Sequence, residues 1–449
     1  MFPSTLDKDG SHGIAAMIPA AQRPRVQAGD IIGRAGNSGN SGAPHIHISA
    51  GPVVTDTDDG ATGPLPFRGA FHRPHADDAP LDPSGWDAFD GSTLSPSLGN
   101  ALIHPGMVRL GDITAGAAGQ CVLHFVRSRR VVTALRDADG NLKLVVWDVG
   151  TDGAFARRGG ISAGTASRLA MVEPRSDLLV TALRDGDGNL RLVSWRVDGQ
   201  GNLTRCATAT AGPVSRVSLA TVQEGVVVVA VRDADGNLKL VAFQVASNGA
   251  FTRRGDASAG AIGDVVVTRS RRADGVVTAV LTGAGEVKVI AWTVSGNGSS
   301  VQRGGSAEAG AASRIAAAPR GTDDRWTVTA VRDSADNLRV IAWEVGDGGG
   351  TVTRRGTGVA GEVSELAITG ARAGRHLDVA VRDSDGALRV TSWRLDGNGS
   401  TVERWGGGRA GSATNIAAAG SPDADHPYLV TSCSDSDGNL KLISWRADR

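Results

Sequence analysis

The sequence predicts an all-β protein, a seven-bladed β-propeller of four-stranded antiparallel blades preceded by a small partial β domain. The prediction rests on three observations. An aromatic residue recurs at positions 147, 195, 243, 292, 343, 393 and 445, so the repeat period is close to fifty residues. An Ala-Gly pair recurs in step with it, first at Ala115-Gly116. Each period has room for four short strands, the content of one blade.

The strands follow from the residue pattern within one repeat. Val131–Val149 contains a β-branched run, an Asp-Gly-Asn turn and a second run that ends in a Trp, which is typical of a β-hairpin. In the second repeat the four strands, a to d, are predicted at Arg168–Val172, Leu178–Arg184, Leu190–Val197 and Leu203–Thr208. The Ala-Gly segment is predicted to join strand d of one repeat to strand a of the next, on the same face as the turns between strands b and c.

Side-chain size favours a propeller over a β-solenoid. Strand a is dominated by small residues in several repeats, as in Ile315–Ala318, and this suits an innermost strand crowded around an axis. Strand c is apolar on both faces, so it needs a neighbouring sheet on each side. We therefore expect the recurring Trp residues to lie in the core rather than to stack on a ligand.

The ends of the repeat array predict how the ring closes. The last repeat has strand c at Leu440–Arg446 and ends without a strand d. Upstream of the first full repeat, Met107–Gly116 matches the strand d pattern. We expect this N-terminal segment to complete the C-terminal blade, which leaves no open sheet edge between first and last blades.

Composition limits the classes of function. The chain has 449 residues with 47 basic and 47 acidic side chains, so charge gives no case for nucleic acid or an anionic membrane. No apolar run approaches the ~20 residues of a membrane span. The three cysteines fall in predicted strands and are expected to be small buried residues. We expect a monomer, with no signal peptide in residues 1–25.

Residues 1–70 do not share the repeat, and residues 71–106 are rich in Pro, Asp and Gly, which predicts a linker to the propeller at 107–449. Val26–Ile48 contains a short strand, a Gly/Asn/Ser loop and a strand carrying His45 and His47. Alternation puts both imidazoles on one face, where they could share a metal ion or divide ligand and proton-transfer duties. A structural role is the alternative.

This segment, with its Gly-Asp, Ile-Gly, Gly-Asn-Ser and Ala-Pro-His-Ile-His elements at 29–47, resembles the C-terminal half of the M23 (LytM, lysostaphin-type) zinc metallopeptidase domain. The resemblance implies that His47 is a zinc ligand and that His45 acts in catalysis, in a site that cuts cell-wall peptides by zinc-activated water attack. The upstream His-x-x-x-Asp that supplies the other two ligands in that family is absent from this chain. The zinc site is therefore predicted to be incomplete.

The turns between strands b and c carry the other candidate residues. Asp137, Asp185, Asp233 and Asp383 open these turns, and an Arg precedes each of them and the equivalent Asp333: Arg136, Arg184, Arg232, Arg332 and Arg382. The carboxylates could cap backbone N–H groups of the turn or contribute to calcium binding, although each turn offers too few oxygens for calcium. The guanidinium groups could pair with neighbouring turns or bind a carboxylate or sugar hydroxyls.

Two classes of function remain open at this stage. The first is a non-catalytic binding or scaffold propeller with a degenerate peptidase-like remnant, acting at the bacterial cell envelope or outside the cell on a cell-wall peptide or glycan. The second is an M23 zinc endopeptidase of peptidoglycan that lacks its N-terminal part, with the propeller as its targeting module. A His-x-x-x-Asp in frame upstream of Met1 would favour the second.

Overall fold

The computed structural model describes residues 107–127, 129–320, 325–370, 376–422 and 428–447, together with the backbone of two short strands, Phe71–His72 and Asp87–Ala88. The chain divides into two compact regions, Met1–His104 and Pro105–Arg449. In the first region, β1 (Phe71–His72) pairs antiparallel with β2 (Asp87–Ala88). This pair lies within the segment predicted to be a linker. The second region is all-β.

The strands of the second region alternate along the chain with short turns. They are β3 Met107–Ala117, β4 Cys121–Arg127, β5 Arg130–Arg136, β6 Asn141–Val149, β7 Phe155–Thr165, β8 Ser167–Arg175, β9 Leu178–Arg184, β10 Asn189–Val197, β11 Leu203–Gln223, β12 Val226–Asp233, β13 Asn237–Val245, β14 Phe251–Ser270, β15 Gly275–Thr282, β16 Glu286–Val294, β17 Val301–Pro319, β18 Trp326–Asp333, β19 Asn337–Val345, β20 Val352–Thr369, β21 His376–Asp383, β22 Ala387–Leu395, β23 Val402–Ser412, β24 Thr414–Gly420, β25 Tyr428–Ser434 and β26 Asn439–Ala447. A single 3-10 turn, Asp347–Gly349, follows β19.

Antiparallel pairing groups these strands into seven four-stranded units. Unit 1 is β4 to β7, and in unit 2 β8, β9, β10 and the first half of β11 pair in sequence order. Units 3 to 6 repeat this order through β23. The hairpin register is regular: Trp195 lies opposite Leu179 in unit 2 as Trp147 lies opposite Val131 in unit 1. The predicted b and c strands are thus present, with bounds within a residue of those expected for unit 2.

The segments predicted to join strand d of one repeat to strand a of the next lie within continuous strands in four places, so the two predicted strands are one. In β11, residues up to Pro213 pair with β10, and residues from Val214 onward pair with β12. β14, β17 and β20 bridge successive units in the same way. The chain changes partners at a register shift next to the Ala-Gly pair. The backbone is not crowded there, since a Cβ added to Gly212 would have no atom within 4 Å. An irregularity in strand pairing, rather than a loop, therefore separates the units here.

The two ends of the region lie in one sheet. β3 pairs antiparallel with β26, so the sheet of unit 7 has the order β24, β25, β26, β3. The Oγ of Ser444 in β26 accepts a hydrogen bond of 3.1 Å from the backbone N–H of Gly111 in β3. The predicted completion of the last repeat by the segment near residue 110 is confirmed.

Unit 7 also contacts unit 1. Leu123 and Trp147 of unit 1 share a buried cluster with Val430 and Leu442 of unit 7. The hydroxyl of Ser434 donates a hydrogen bond of 2.7 Å to the backbone carbonyl of Ala118, immediately before β4. Apolar side chains of adjacent units form the core elsewhere too, as where Val132 of unit 1 packs in one cluster with Leu179 of unit 2.

The recurring aromatic residues are core residues, as predicted. The six recurring Trp side chains are fully buried, and Phe243 is 4 % exposed. Cys121 and Cys433 are buried free thiols, whereas Cys206 is a half-buried free thiol. Burial raises the pKa of Cys121 to about 12, so this thiol behaves as a small apolar residue. Within the described residues, no helix is long and apolar enough to cross a membrane.

Candidate functional site

The turn aspartates predicted as weak ligand residues bind their own backbone. Oδ1 of Asp185 accepts hydrogen bonds from the backbone N–H of Asp187 at 3.1 Å and of Asn189 at 2.9 Å. Asp137, Asp233 and Asp383 accept the corresponding pair of bonds. The other oxygen of Asp185 lies 3.2 Å from a guanidinium nitrogen of Arg191 in the next strand.

The conformation of these turns matches the turn-capping interpretation. Gly188, which closes the turn of unit 2, has a positive φ of 86°, and Asp336 takes the left-handed position in unit 5 with φ 64°. No group of three or more His, Cys, Asp or Glu side chains that could hold a metal ion occurs among the described residues. A ligand role for the turn aspartates stays a prediction, whereas calcium binding was not predicted because each turn offers too few oxygens.

The arginines before these turns connect neighbouring strands. Nε of Arg184 donates to the carbonyl oxygen of Val214 at 2.9 Å, and Arg232 and Arg332 make the same contact with Ile262 and Val363. Arg382 donates to the hydroxyl of Ser364 at 3.3 Å. Arg136 is exposed, and its guanidinium group lies close to Gly140 of the same turn, 3.2 Å from the place that a Cβ would take. The bonded arginines therefore support the partner switch between units, and ligand binding by them stays a prediction.

A different pair of side chains stands out by its chemistry. His124 lies on β4 and Glu173 on β8, the first strands of units 1 and 2. Nε2 of His124 is 4.0 Å from Oε2 of Glu173. The His124 side chain keeps 33 % of its surface exposed and that of Glu173 keeps 17 %. The pair is thus partly enclosed but remains accessible from outside.

The surroundings shift the proton affinities of the two groups in opposite directions. Burial lowers the pKa of His124 to about 4, so the imidazole is neutral at pH 7. Burial raises the pKa of Glu173 to about 7, an effect that a hydrogen bond from the backbone N–H of Asp177 opposes. A carboxyl group whose pKa lies near neutral pH can accept and return a proton under physiological conditions.

An ion pair at the ends of the same strands fixes the position of Glu173. Arg127, the last residue of β4, makes two hydrogen bonds to the Asp177 carboxylate, of 2.8 and 2.7 Å. Asp177, with a positive φ of 63°, donates its backbone N–H to Oε1 of Glu173 at 2.8 Å. Oε1 is therefore held by the turn, and Oε2 is left facing His124.

A cavity of about 370 Å³ opens beside this ion pair, lined by Arg127, Arg129, Arg130, Asp148 and Val149. Arg130 and Arg158 both bond the Asp148 carboxylate, at 2.6 and 2.7 Å. Arginine thus outnumbers carboxylate around the cavity, which favours an anionic or strongly polar occupant.

Sequence reasoning missed this pair because it followed the repeated positions. A signal was nevertheless present. His124 lies opposite Val132, and the residues at the same register in units 2, 3 and 5 are Val172, Ala220 and Ala318. Units 4 and 6 have Thr268 and Thr369 at this register, and unit 7 has Ala419. An ionisable imidazole at this position therefore marks a departure from the repeat.

Comparison with known proteins places three solved structures beside this one. A Bacteroides fragilis protein named as a candidate 6-phosphogluconolactonase has a TM-score of 0.49 and 14 % identity, over 68 % of this chain and 90 % of that one. The periplasmic gluconolactonase of Pseudomonas aeruginosa has a TM-score of 0.47 and 15 % identity, over 66 % and 87 %. A candidate 6-phosphogluconolactonase from Bacteroides uniformis has a TM-score of 0.48 and 12 % identity, over 67 % and 87 %.

No family model and no curated protein matches the chain. The predicted membership of the M23 zinc peptidases is therefore wrong, since no model of that family matches the chain. His45 and His47 lie outside the described residues. The physical reason for the error is that a Gly/Asn/Ser loop followed by a His-x-His strand is a short pattern, which structural segments also produce.

Both predicted classes of function are wrong for the same reason. The non-catalytic binding or scaffold role with a peptidase remnant is wrong, and so is the alternative of a truncated zinc endopeptidase of peptidoglycan, because both include a peptidase relationship that no family model supports. The candidate residues of the propeller were chosen because they recur among the repeats, and this choice left out His124 and Glu173, which occur once.

Proposed function

We propose that the chain is a hydrolase that acts at the junction of units 1 and 2, with Glu173 as its general base and His124 as the polar group beside it. The observation that carries the proposal is the pair itself. The two side chains lie 4.0 Å apart on adjacent first strands, and both are partly exposed. That separation is too long for a direct hydrogen bond, so each group keeps bonding capacity for water or a substrate.

A small carboxylic ester or lactone is the proposed substrate class. Oε2 of Glu173 takes a proton from a water molecule as the water oxygen bonds to the carbonyl carbon. When the tetrahedral intermediate collapses, the bond from carbon to the alcohol oxygen breaks, and the protonated Glu173 returns the proton to that oxygen. Neutral His124 can donate one hydrogen bond to the substrate, and Arg127 adds positive charge close to Glu173.

We also propose that the seven units are the blades of a closed propeller, with their first strands around a central channel. The contacts of unit 7 with unit 1 support closure, as does the hydrogen bond of Tyr428 Oη to the carbonyl oxygen of Thr151 at 2.5 Å. In this arrangement His124 and Glu173 are reached from the channel.

The location at the cell envelope or outside the cell had rested on the peptidase resemblance, and cell fractionation tests it independently.

The experiment is a hydrolysis assay on the purified protein. p-Nitrophenyl esters and aldonolactones are offered at pH 7.5, and acid release is followed in a pH-stat. We expect Glu173→Gln to lower kcat on the order of 10²-fold or more, the usual contribution of a general base. Glu403→Gln, at an exposed position on β23, is the matched control and should leave kcat unchanged. Equal activity of Glu173→Gln and wild type, or no hydrolysis of any compound in the panel, refutes the proposal.

A further inference from the structure

The first strands of the units are the inner strands of the proposed propeller. A second cluster of charged side chains lies at the ends of these strands that are away from His124 and Glu173. Each unit contributes one residue at the start of its first strand or just before it, close to the end of the second strand, as Arg216 lies opposite Arg232 and Arg314 opposite Arg332. We call these seven residues the entry ring: Gln120, Arg168, Arg216, Asp264, Arg314, Glu365 and Asn415. Five of them are charged and the other two carry a primary amide, although the inner strands are otherwise mostly apolar.

The members from units 2 to 5 lie close enough to act on one another. Nε of Arg216 is 3.2 Å from the carboxylate of Asp264, across the boundary between units 3 and 4. Partial burial lowers the pKa of Arg168 and the charge of Arg216 lowers it further, whereas the charge of Asp264 raises it. The charges of Arg184 and Arg314 lower it as well. Guanidinium groups from units 2, 3 and 5 therefore lie in one region. Their closeness does not depend on how the ring closes.

The charges in this region do not balance. The Asp264 carboxylate is engaged by Arg216 and by the backbone N–H of Val265. Oε2 of Glu365 accepts the backbone N–H of Ile416 at 3.2 Å. Arg168 and Arg314 are exposed and make no ion pair or side-chain hydrogen bond within the described part of the chain. Two cations are thus left with all of their N–H donors available.

Backbone geometry gives an independent sign that the ring is more than a solvated surface. Arg168 has φ 55° and Asn415 has φ 54°, although neither is a glycine. Such left-handed conformations cost free energy and persist where the surrounding structure holds them, often at ligand sites. Here the conformation occurs at two of the seven ring positions, and one of them is Arg168.

We propose that the entry ring binds a small molecule with two or more anionic oxygen-bearing groups, phosphate or carboxylate, held between Arg168 and Arg314. Two guanidinium groups offer paired N–H donors that match the oxygens of either group. Arg216 is the third cation, and Asp264 limits its reach by pairing with it. The site is distinct from His124 and Glu173, which lie about four to five residues further along the inner strands, or about 13 to 16 Å at strand spacing.

The test uses isothermal titration calorimetry on the full chain at low ionic strength, with pyrophosphate in one arm and citrate in the other. We expect saturable binding of one equivalent in at least one arm, weakened by added salt. The two arms distinguish a phosphate ligand from a carboxylate ligand. Arg168→Gln and Arg314→Gln should each raise Kd about tenfold or more, and Arg168→Lys should restore part of the loss because it keeps the charge.

Arg303→Gln, which removes an exposed arginine from the outer part of β17, is the matched control and should change Kd by less than about twofold. Thermal unfolding of each variant shows whether it folds. Since Arg314 does not have the strained backbone of Arg168, Arg314→Gln decides the outcome if the other variant is unstable. Absence of saturable binding in both arms, or an equal loss in Arg303→Gln, overturns the proposal.

Discussion

The indole N–H of Trp147 donates a hydrogen bond of 3.1 Å to the hydroxyl of Thr133, its buried neighbour on the adjacent strand. The pair recurs as Trp195 with Thr181, Trp292 with Thr278, Trp343 with Thr329 and Trp445 with Thr431, at 2.8 to 3.0 Å. In unit 3 both partners change together, because Phe243 and Val229 occupy these positions. In unit 6 the hydroxyl is missing at Val379, and Trp393 bonds Thr391 instead.

This pattern predicts a coupling between the two residues. Thr181→Val leaves the buried N–H of Trp195 without a partner and should lower the free energy of unfolding by about 1–3 kcal/mol. The double variant Thr181→Val with Trp195→Phe recreates the pair of unit 3 and should be less destabilised than the sum of the single variants. Urea unfolding of the four proteins measures the coupling. Strict additivity contradicts the role given to the hydrogen bond.

The turn aspartate is predicted to be structural. Asp185→Ala removes the acceptor of two backbone N–H groups and one partner of Arg191, so we expect a loss of about 1–2 kcal/mol in the free energy of unfolding. Asp187→Ala, at the exposed position two residues later, should stay within about 0.5 kcal/mol of wild type. The comparison is made by chemical denaturation. If the two substitutions cost the same, the carboxylate of Asp185 does not hold the turn.

The pair His124 and Glu173 predicts opposite contributions to the pH dependence of stability. The pKa of Glu173 rises from its usual 4.5 to about 7, so between these values the folded state binds more protons and acidification stabilises it. The pKa of His124 falls from its usual 6.5 to about 4, so across that window the unfolded state binds more protons and acidification destabilises the fold. In the wild type the two effects oppose each other between pH 4.5 and 6.5.

Single variants should separate them. Relative to wild type, Glu173→Gln should lose stability more steeply as pH falls from 7 to 4.5, and His124→Asn should gain stability over the same range, each with a slope of at most about 1.4 kcal/mol per pH unit. Urea unfolding at a series of pH values gives the slopes. Glu403→Gln should run parallel to wild type. Parallel curves for all variants would show that neither group has a shifted pKa.

The pairing of β3 with β26 predicts the effect of truncation. A chain that begins at Pro105 keeps β3 and should retain a single cooperative thermal transition. A chain that begins at Ala118 loses β3, exposes the edge of β26 and removes the contact of Gly111 with Ser444. We expect a lower Tm and concentration-dependent association, measured by calorimetry and light scattering. Indistinguishable behaviour of the two chains would mean that β3 contributes nothing to unit 7.

The repeated part of the fold could be predicted because each unit carries its own pattern. A β-branched run, an Asp-x-Asp-Gly-Asn turn and a Trp define the hairpin locally, so β9 and β10 agree with the sequence analysis to within one residue. The continuous strands could not be predicted. Ala-Gly is typical of a loop, and only the pairing partners on both sides keep Gly212 extended in β11.

The candidate site could not be found by the same reasoning. A repeat points to residues that recur, and these support the turns and the partner switch between units. His124 and Glu173 each occur once, on different units, and only the contact between β4 and β8 brings them together. Their separation of 49 positions in the chain carries no local pattern.

The hydrogen bond between Gly111 and Ser444 joins residues that are 333 positions apart. A growing polypeptide can assemble units 1 to 6 in order of synthesis. In contrast, β3 is made before all of these units and has no partner until almost all of the chain has been synthesised. The final unit is therefore finished only after the ribosome has delivered β26. During synthesis β3 therefore has no pairing partner for most of the time. A premature stop codon that removes β26 would leave β3 unpaired permanently.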